Sequence, residues 1–377
     1  MRTGANSAAA RRWLGLAVHD LRESAELLNA LNVFPVADAD TGTNLVITVG
    51  TAADAVDVLE TPDVGELLML AGQAALDDAR GNSGSLFAVW LTALGAALEG
   101  GDGFSADALS RAMQAAEVRC WSALTDPVPG TMLSVLRDIA EVAVPEAGDA
   151  GSRRQLIEFM EAAVAAAHRS VLGSSEQLEA LRGTQRVDSG ALGMLIILNS
   201  LRRSTLKAPT LPQALWGGVP EAEQDLEASH RPVEDEIREL LERMHRSVST
   251  PETGFEAGAP SAEGSGAAHG AGAVVSGVEV VATVELTALE AAAVRHELAE
   301  IGDSVIASPI SRVEDERWRW RIHVHVPDQL GALSVLRRHG SPRSISVTGL
   351  SAPPSNEGGW EDGRRVEGRD DRPRDLG

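Results

Sequence analysis

Apolar residues recur every three or four positions from residue 8 to about residue 204, in one segment after another. Examples are "AAARRWLGLAVHDLRESAELLNAL", "NSGSLFAVWLTALGAALEG" and "SRRQLIEFMEAAVAAAHRSVL", which are also rich in alanine. This spacing places the apolar side chains on one face of a helix, and alanine has the highest helix propensity. The alternation typical of strands is absent from this region. The pattern predicts an all-α domain of seven or eight helices over residues 1–205.

The periodicity changes after about residue 207. The segment "PVEDEIRELLERMHRS" (232–247) predicts a single helix. The apolar face of this helix carries Ile237, Leu240, Leu241 and Met244. A stretch rich in Gly, Ala, Ser and Pro follows and predicts a flexible linker. Residues 206–275 are therefore assigned to a helix and a linker.

A second compact unit is predicted over residues 276–352. Its segments read as strands at 277–286, 304–310, 317–326 and 344–350 and as helices at 288–302 and 329–340. The resulting order, β-α-β-β-α-β, is typical of a small α+β ferredoxin-like sandwich. Residues 353–377 are charged and poor in apolar residues, which predicts a disordered tail.

Composition narrows the function classes. The formal net charge is -22, whereas a nucleic-acid-binding protein presents a basic face. The longest uncharged run, residues 81–98, contains glycines, serines and an asparagine, so it predicts a buried helix and not a membrane span. A single cysteine, Cys120, fits a reducing compartment. We therefore expect a cytoplasmic protein with no nucleic-acid partner and no membrane insertion. Lys207, the only lysine, follows no glycine-rich loop, which excludes a Walker-type phosphate loop.

The segment "NVFPVADADTGTN" (32–44) concentrates polar side chains ahead of a helix predicted to begin near Asn44. A calcium loop starting at Asp38 would need an oxygen ligand, a glycine and a glutamate at its fifth, sixth and twelfth positions. The residues at those positions are Gly42, Thr43 and Val49. The calcium interpretation therefore fails.

Two interpretations of this segment remain. Thr41 or Thr43 would cap the helix, with Asp38 and Asp40 favouring its positive end. A cap needs only one oxygen, however, whereas two carboxylates two residues apart can converge on one cation. Oxygen ligands suit magnesium, which completes its shell with water and substrate phosphates, and the N–H groups at the helix start would meet those phosphates. The segment thus predicts a capped turn or a magnesium–phosphate site.

Three further loops place glycine and hydroxyl-bearing residues ahead of predicted helices. They are "DDARGNSGS" (77–85), "DPVPGTMLSV" (126–135) and "RVDSGALGM" (186–194). Small residues permit close approach of a phosphate to a helix start, although the same residues are typical of ordinary turns. A shared site would require the four helix starts to gather at one end of the domain.

Four motifs, in this order, carry a family resemblance: "LNALNVFPVADADTGTNL", "ARGNSGS", "PVPGTMLSV" and "VDSGALGML". They resemble the ATP-binding subunit of dihydroxyacetone kinases and are most similar to the ATP-binding component of bacterial fatty acid kinase, over about residues 10–204. The resemblance implies an eight-helix antiparallel barrel that holds ATP and Mg²⁺ at one end. It also implies a kinase subunit that transfers the γ-phosphate to a glycerone-like or fatty acid acceptor presented by a partner protein.

The resemblance assigns roles position by position. Asp38 and Asp40 match the magnesium ligands. The residues that match nucleotide-binding positions are Thr41, Gly42, Thr43, Asn44, Gly81, Asn82, Ser83, Gly84, Thr131 and Asp188.

The second unit is similar to the middle domain of fatty acid kinase through "EIGDSVIA" and "RIHVHVPDQLGAL". His323 and His325 lie two residues apart on a strand and face the same side. The resemblance implies a metal site that includes a cysteine on the preceding strand. That strand holds no cysteine here, and Thr283 is nearest to the matching position. The alternatives are a second metal site and a plain pair of histidines on a sheet face.

Several positions depart from the family pattern. Asp78 stands where glycine is usual, Pro129 replaces an acidic residue, and Leu192 occupies a position that is often basic or small. The family also continues into a C-terminal domain that engages the acyl-carrying partner, whereas this chain ends in a charged tail. A carboxylate at Asp78 would repel ATP unless it binds metal or points away.

The leading hypothesis is therefore an ATP- and Mg²⁺-dependent phosphotransferase subunit with an acyl- or substrate-binding partner protein, and self-association as a homodimer is left open. The alternative is a nucleotide-binding regulatory module without phosphotransfer activity. A structural protein with merely capped turns leaves the Asp-x-Asp unexplained.

Overall fold

Helices fill the N-terminal half of the chain. The structure is a computed structural model that describes residues 3–101, 103–146, 151–206, 221–249, 277–314 and 316–350. The helices of this half are α1 (Thr3–Leu31), α2 (Thr41–Val58), α3 (Val64–Asp78), α4 (Gly81–Leu98), α5 (Ala106–Ala123), α6 (Met132–Ala140), α7 (Arg153–Gln177) and α8 (Ser189–Leu206). The predicted all-α domain is confirmed.

These eight helices enclose one apolar core. Each helix packs against the next along the chain, and α1 also packs against α8, which closes the ring. The centre is filled by side chains from every helix, with Trp13 of α1 meeting Trp90 of α4 edge to face at 6.1 Å between ring centroids. Residues 81–98 form α4 and lie in this core, as predicted. None of the described helices is both long enough and apolar enough to cross a membrane.

A ninth helix, α9 (Glu221–Ser249), continues the helical unit. Ile237, Leu240 and Met244 are buried in the same core and Leu241 is partly buried against it, so the predicted apolar face is confirmed. The helix begins before the predicted start at residue 232. Residues 250–276 and 351–377, predicted to be a linker and a disordered tail, lie outside the described residues.

A buried arginine fastens α9 to the helical unit. Arg202 of α8 is 1% exposed, and its guanidinium bonds Glu161 of α7 at 2.7 Å. The same guanidinium pairs with Glu234 of α9 and donates to Asn199 at 2.9 Å. A buried guanidinium is stabilised only when carboxylates and hydrogen-bond acceptors surround it, so α9 completes the environment of this charge.

The second unit is a four-stranded antiparallel sheet with two helices on one face. Its elements are β1 (Gly277–Thr287), α10 (Ala288–Ala299), β2 (Asp303–Glu314), β3 (Arg317–Val326), α11 (Gln329–His339) and β4 (Arg343–Leu350). The strand order is β2-β3-β1-β4, with all neighbours antiparallel. The predicted element order is confirmed. Alternate residues of β1 and β3, such as Val280 and Val324, pack with α10 and α11 in a core of their own.

The other face of the sheet lies on the helical unit. Ile306 and Ile310 of β2 belong to the helical core, and Leu124 forms an isolated bridge with Ile306. The N–H of Thr125 donates to the carbonyl of Val305 at 3.2 Å. On the same interface, Arg319 of β3 forms an ion pair with Asp77 of α3 at 3.1 Å. Polar side chains on this sheet face are therefore held against the ends of helices.

Close packing of α3 on α4 depends on glycines. A Cβ built at Gly95 would lie 2.2 Å from the backbone nitrogen of Met69, whereas a Cβ at Gly50 of α2 would meet nothing within 4 Å. We expect Gly95→Ala to lower the free energy of unfolding by about 1–3 kcal/mol through overpacking. The control Gly50→Ala is expected to raise it by about 0.5–1 kcal/mol. Urea unfolding measures both, and equal stability of the two variants would contradict the packing.

Candidate functional site

The acidic loop joins α1 to α2 and aims two carboxylates at one place. Asp40 is the N-cap residue of α2, but its side chain makes no capping hydrogen bond. The prediction that Thr41 or Thr43 caps this helix is wrong, because α2 already begins at Thr41. Neither the Asp40 carboxylate nor the hydroxyls of Thr41 and Thr43 cap the helix. The Asp40 carboxylate is therefore available to bind a ligand.

The two aspartates interact closely. Asn32 donates to Asp38 at 2.5 Å through its side-chain nitrogen. Burial and the neighbouring Asp40 carboxylate raise the pKa of Asp38 to about 6, whereas the hydrogen bond from Asn32 lowers it. Repulsion between two adjacent carboxylates disfavours the doubly ionised pair. A divalent cation between them would relieve that repulsion.

The first turn of α2 is fixed against α1. A Cβ at Gly42 would lie 2.3 Å from the carbonyl oxygen of Ala25, so only glycine allows this approach. Thr43 donates from its backbone to Asn29 at 3.1 Å, and its hydroxyl accepts from the Asn29 amide at 3.0 Å. Gly42 and Thr43 therefore position the loop, and the nucleotide-binding roles expected for them stay predictions.

The start of α4 meets the start of α2. Gly81 has a φ of +61° and its Cα faces the Asn44 side chain, with a built Cβ only 2.7 Å from Nδ2. A Cβ at Gly84 would lie 2.5 Å from the Thr48 hydroxyl. The segment from Gly81 to Gly84 forms the first turn of α4, as expected for a helix start. Its first amides thus point out of the helix end without intrahelical acceptors.

The acidic loop and these two first turns line one side of an open cavity. The opposite side is formed by the second unit, through β1, β3 and the end of β4. The polar lining comprises Asn32, Asp38, Asp40, Thr41, Asn44, Gly81, Asn82, Ser83, Glu279, His325 and Thr348. Seven of the predicted site residues in the helical unit, Asp38, Asp40, Thr41, Asn44, Gly81, Asn82 and Ser83, are thereby brought together.

The remaining two predicted loops lie behind this cavity. Asp188 is buried directly before α8, where its carboxylate accepts from the Ala191 N–H at 2.7 Å. A Cβ at Gly190 would lie 2.7 Å from the Ser83 hydroxyl, so the start of α8 touches the start of α4. Thr131 caps α6 and donates to the Val128 carbonyl at 2.8 Å, outside the cavity lining. Asp188 and Thr131 shape helix starts and do not line the cavity.

The two histidines of the second unit are part of a buried trio. Glu279 of β1 lies directly across from His325 of β3 in the sheet register, and all three ligand atoms of Glu279, His323 and His325 lie within 4.8 Å of one another. Thr283, the residue nearest to the matching cysteine position, is not part of this trio, and its hydroxyl accepts from Arg321 at 3.1 Å. Glu279 was missed. Its signal was a carboxylate amid the apolar residues at the start of the strand.

The two histidines of the trio have buried ring nitrogens without hydrogen-bond partners among the described residues. His323 is 1% exposed, and neither of its ring nitrogens has a hydrogen-bond partner in the described part of the chain. Burial, followed by His325 and Arg321, holds the pKa of His323 well below its ordinary value. Burial raises the pKa of Glu279, although His325 and the Gly81 N–H oppose this. Two imidazoles beside a carboxylate are typical of a divalent metal site.

Asp78 points away from the cavity. Its carboxylate accepts from the Thr51 hydroxyl at 3.0 Å, and Asp78 is absent from the cavity lining. Its neighbour Asp77 pairs with Arg319, and both carboxylates lie near the buried guanidinium of Arg321, whose pKa they raise against the larger effect of burial. Asp78 would therefore repel a phosphate less than predicted, because its carboxylate points away from the cavity and lies near the guanidinium of Arg321.

Comparison with known proteins bears on the helical unit. Residues 35–203, slightly less than half of the chain, match the family model described as DAK2 domain. The match lies within the helical unit. The resemblance to the ATP-binding subunit of dihydroxyacetone kinases is thereby confirmed at the level of this domain. The DAK2 match includes the acidic loop and the starts of α2, α4, α6 and α8.

Relatives of the DAK2-containing region are longer proteins. A protein of Staphylococcus haemolyticus is 32% identical over 193 residues, which cover 50% of this chain and 34% of the relative. Protein YloV of Bacillus subtilis is 32% identical over 194 residues, covering 52% and 34%. The chain thus spans about a third of the length of these relatives. The solved dihydroxyacetone kinase of C. freundii, in complex with AMP-PNP and Mg²⁺, aligns with a TM-score of 0.40 and 21% identity over 52% of this chain and 34% of that one.

Asp188 predicts a pH-dependent stability. Burial raises its pKa from 3.8 to about 7, so the folded chain binds this proton more tightly than the unfolded chain. The free energy of unfolding therefore loses this contribution as pH rises from about 4 to about 7. Asp188→Asn keeps an acceptor for Ala191 but cannot ionise. We expect its stability relative to wild type to increase across that window and then to level off.

Urea unfolding of both proteins at about pH 5 and about pH 8 measures this difference. Asp54→Asn, which alters an exposed carboxylate of α2, is the control. A difference between Asp188→Asn and wild type that stays constant with pH would contradict the assigned environment.

Proposed function

We propose that the DAK2-containing unit binds an ATP–Mg²⁺ complex in the cavity described above and acts as a phosphotransferase subunit. The observation that carries this proposal is the convergence of Asp38 and Asp40 with the start of α4 in one cavity. Cation ligands and anion ligands in one place match the two halves of a metal–nucleotide complex. The Mg²⁺ assignment is supported by chemistry, because oxygen ligands alone suit this ion.

The start of α4 supplies the anion side. The first-turn amides of a helix have no intrahelical acceptor and carry the positive end of the helix dipole, so they favour phosphate groups. The side chains of Asn82, Ser83 and Asn44 lie beside them in the lining. Asn82 Oδ1 is buried without a partner in the described part of the chain, and its amide would turn toward a phosphate oxygen.

The reaction needs little further from the protein. Phosphoryl transfer relies on positioning and on neutralising charge with metal ions and dipoles. A carboxylate acceptor is already ionised near neutral pH, so it requires no general base. An acyl- or substrate-binding partner protein would present a fatty acid or a glycerone-like acceptor. The alternative remains a regulatory module that binds nucleotide without transfer.

The trio Glu279, His323 and His325 extends the proposal to a second cation. Two imidazoles and one carboxylate form a ligand set used for zinc, with a position left for water or substrate. Glu279 supplies the third ligand that the absent cysteine would have supplied. Four further points stay predictions: the antiparallel barrel implied by the family resemblance, and the ferredoxin-like class, the cytoplasmic location and the possible homodimer.

The cation assignment predicts the effect of single substitutions. Asp38→Ala and Asp40→Ala each remove one carboxylate, so we expect Mg²⁺-dependent ATP affinity to fall by about 30- to 150-fold, given roughly 2–3 kcal/mol for a charged ligand. Thermal unfolding without ligand should change little. Isothermal titration with and without Mg²⁺ measures affinity, with Asp54→Ala as the control. Wild-type affinity in both site variants would contradict the assignment of Asp38 and Asp40 as Mg²⁺ ligands.

Turnover has its own test. The chain is incubated with Mg²⁺ and γ-labelled ATP together with a fatty-acid-loaded carrier protein from the same organism or with dihydroxyacetone. We expect label in a hydroxylamine-sensitive acyl phosphate with the fatty acid or in a hydroxylamine-stable phosphate ester with dihydroxyacetone, and none with Asp40→Ala. Tight ATP binding without label in any acceptor would favour the regulatory alternative.

A further inference from the structure

One hydrogen bond connects the two units inside the cavity. The N–H of Gly81, the first residue of α4, donates to Glu279 Oε1 of β1 at 3.0 Å. This amide belongs to the unsatisfied first turn of the helix, where an anion is stabilised. A carboxylate of the second unit therefore occupies a position that a phosphate oxygen would otherwise take.

The same carboxylate oxygen has a second neighbour. Glu279 Oε1 lies 3.3 Å from His323 Nδ1, although the ring nitrogen is not aligned for a hydrogen bond. His325 Nδ1 lies 3.5 Å from Asp303 of β2, so a further carboxylate borders the trio. Glu279 is 8% exposed and cannot exchange these neighbours for bulk water. The Glu279 carboxylate can therefore pair only with the Gly81 amide or with a cation bound by the histidines.

Charged groups near Glu279 affect which partner its carboxylate binds. Asp40 and Arg80 lie close enough to act on the Glu279 carboxylate, one repelling and one attracting its charge. An ATP–Mg²⁺ complex would bring phosphate charge to the same amide. Two anions cannot share one N–H donor without repulsion, which is strong where burial excludes water.

We infer that Glu279 couples a divalent cation at the His323–His325 pair to phosphate binding at the start of α4. Without that cation the carboxylate occupies the Gly81 amide and competes with phosphate. With the cation bound, the carboxylate turns to the metal and the amide is released. This inference rests on the proposed function and adds its regulation. Linkage then requires that nucleotide also tightens binding of the cation.

Two substitutions in the trio are expected to differ in their effect on nucleotide affinity. Glu279→Gln keeps the side-chain shape but removes the competing charge, so we expect a non-hydrolysable ATP analogue with Mg²⁺ to bind about tenfold tighter without any added second cation. His323→Ala disables the cation pair while Glu279 stays on Gly81, so affinity should remain at the low value. A general loosening of the structure would weaken binding in both variants.

The experiment titrates the ATP analogue in excess Mg²⁺, with and without Co²⁺, by calorimetry. Co²⁺ suits imidazole ligands and reports its own site through visible absorption. In wild type we expect Co²⁺ to tighten nucleotide binding about tenfold, whereas in Glu279→Gln and His323→Ala it should have no effect. Glu285→Gln, a carboxylate on the same strand outside the cavity lining, is the control and should behave as wild type.

The outcomes separate the two proposals. Weaker nucleotide binding in Glu279→Gln would overturn the inference and would make Glu279 a ligand of the nucleotide-bound Mg²⁺. Tight wild-type binding with no response to Co²⁺ would also overturn it, while leaving the proposed function intact. Binding that Asp40→Ala does not weaken would contradict the proposed function instead. Absence of nucleotide binding in every variant would overturn both.

Discussion

The first turns of α2, α4 and α8 approach one another closely at glycines. Built Cβ atoms at Gly81 and Gly190 each lie 2.7 Å from a side-chain atom of the neighbouring helix start, in Asn44 of α2 and Ser83 of α4 respectively. Three helix starts at one end concentrate unsatisfied N–H groups and positive dipole ends. This concentration needs anions nearby, and the acidic loop and Glu279 supply carboxylates at the same place.

The second unit is part of this arrangement because its polar sheet face lies on the helix ends. Alternation along β1 and β3 sends one set of side chains into the core with α10 and α11 and the other set toward the helical unit. Arg319 and Asp77 hold the two units together at a distance from the cavity, and Glu279 reaches into it. The catalytic proposal and its regulation therefore depend on one interface.

Much of the helical unit could be predicted from the sequence, because helical periodicity and the four glycine-rich motifs are local signals. The acidic pair was predictable for the same reason. Glu279 was not, since its role depends on facing His325 across the sheet and Gly81 across the interface, and neither pairing is visible in one strand. The direction of Asp78 and the capping role of Thr131 likewise depend on packing. Several hydroxyl and carboxylate residues near a helix start are equally able to cap it, which is why the cap of α2 was misassigned.

The central claim is that one cavity between the two units holds the metal and the nucleotide. Hydrogen exchange of backbone amides, with and without Mg²⁺ and a non-hydrolysable ATP analogue, tests it most directly. The account predicts slowed exchange at residues 38–44 and 81–84 together with changed exchange at 279–281 and 323–325. Protection confined to the helical unit, or located away from both segments, would contradict it.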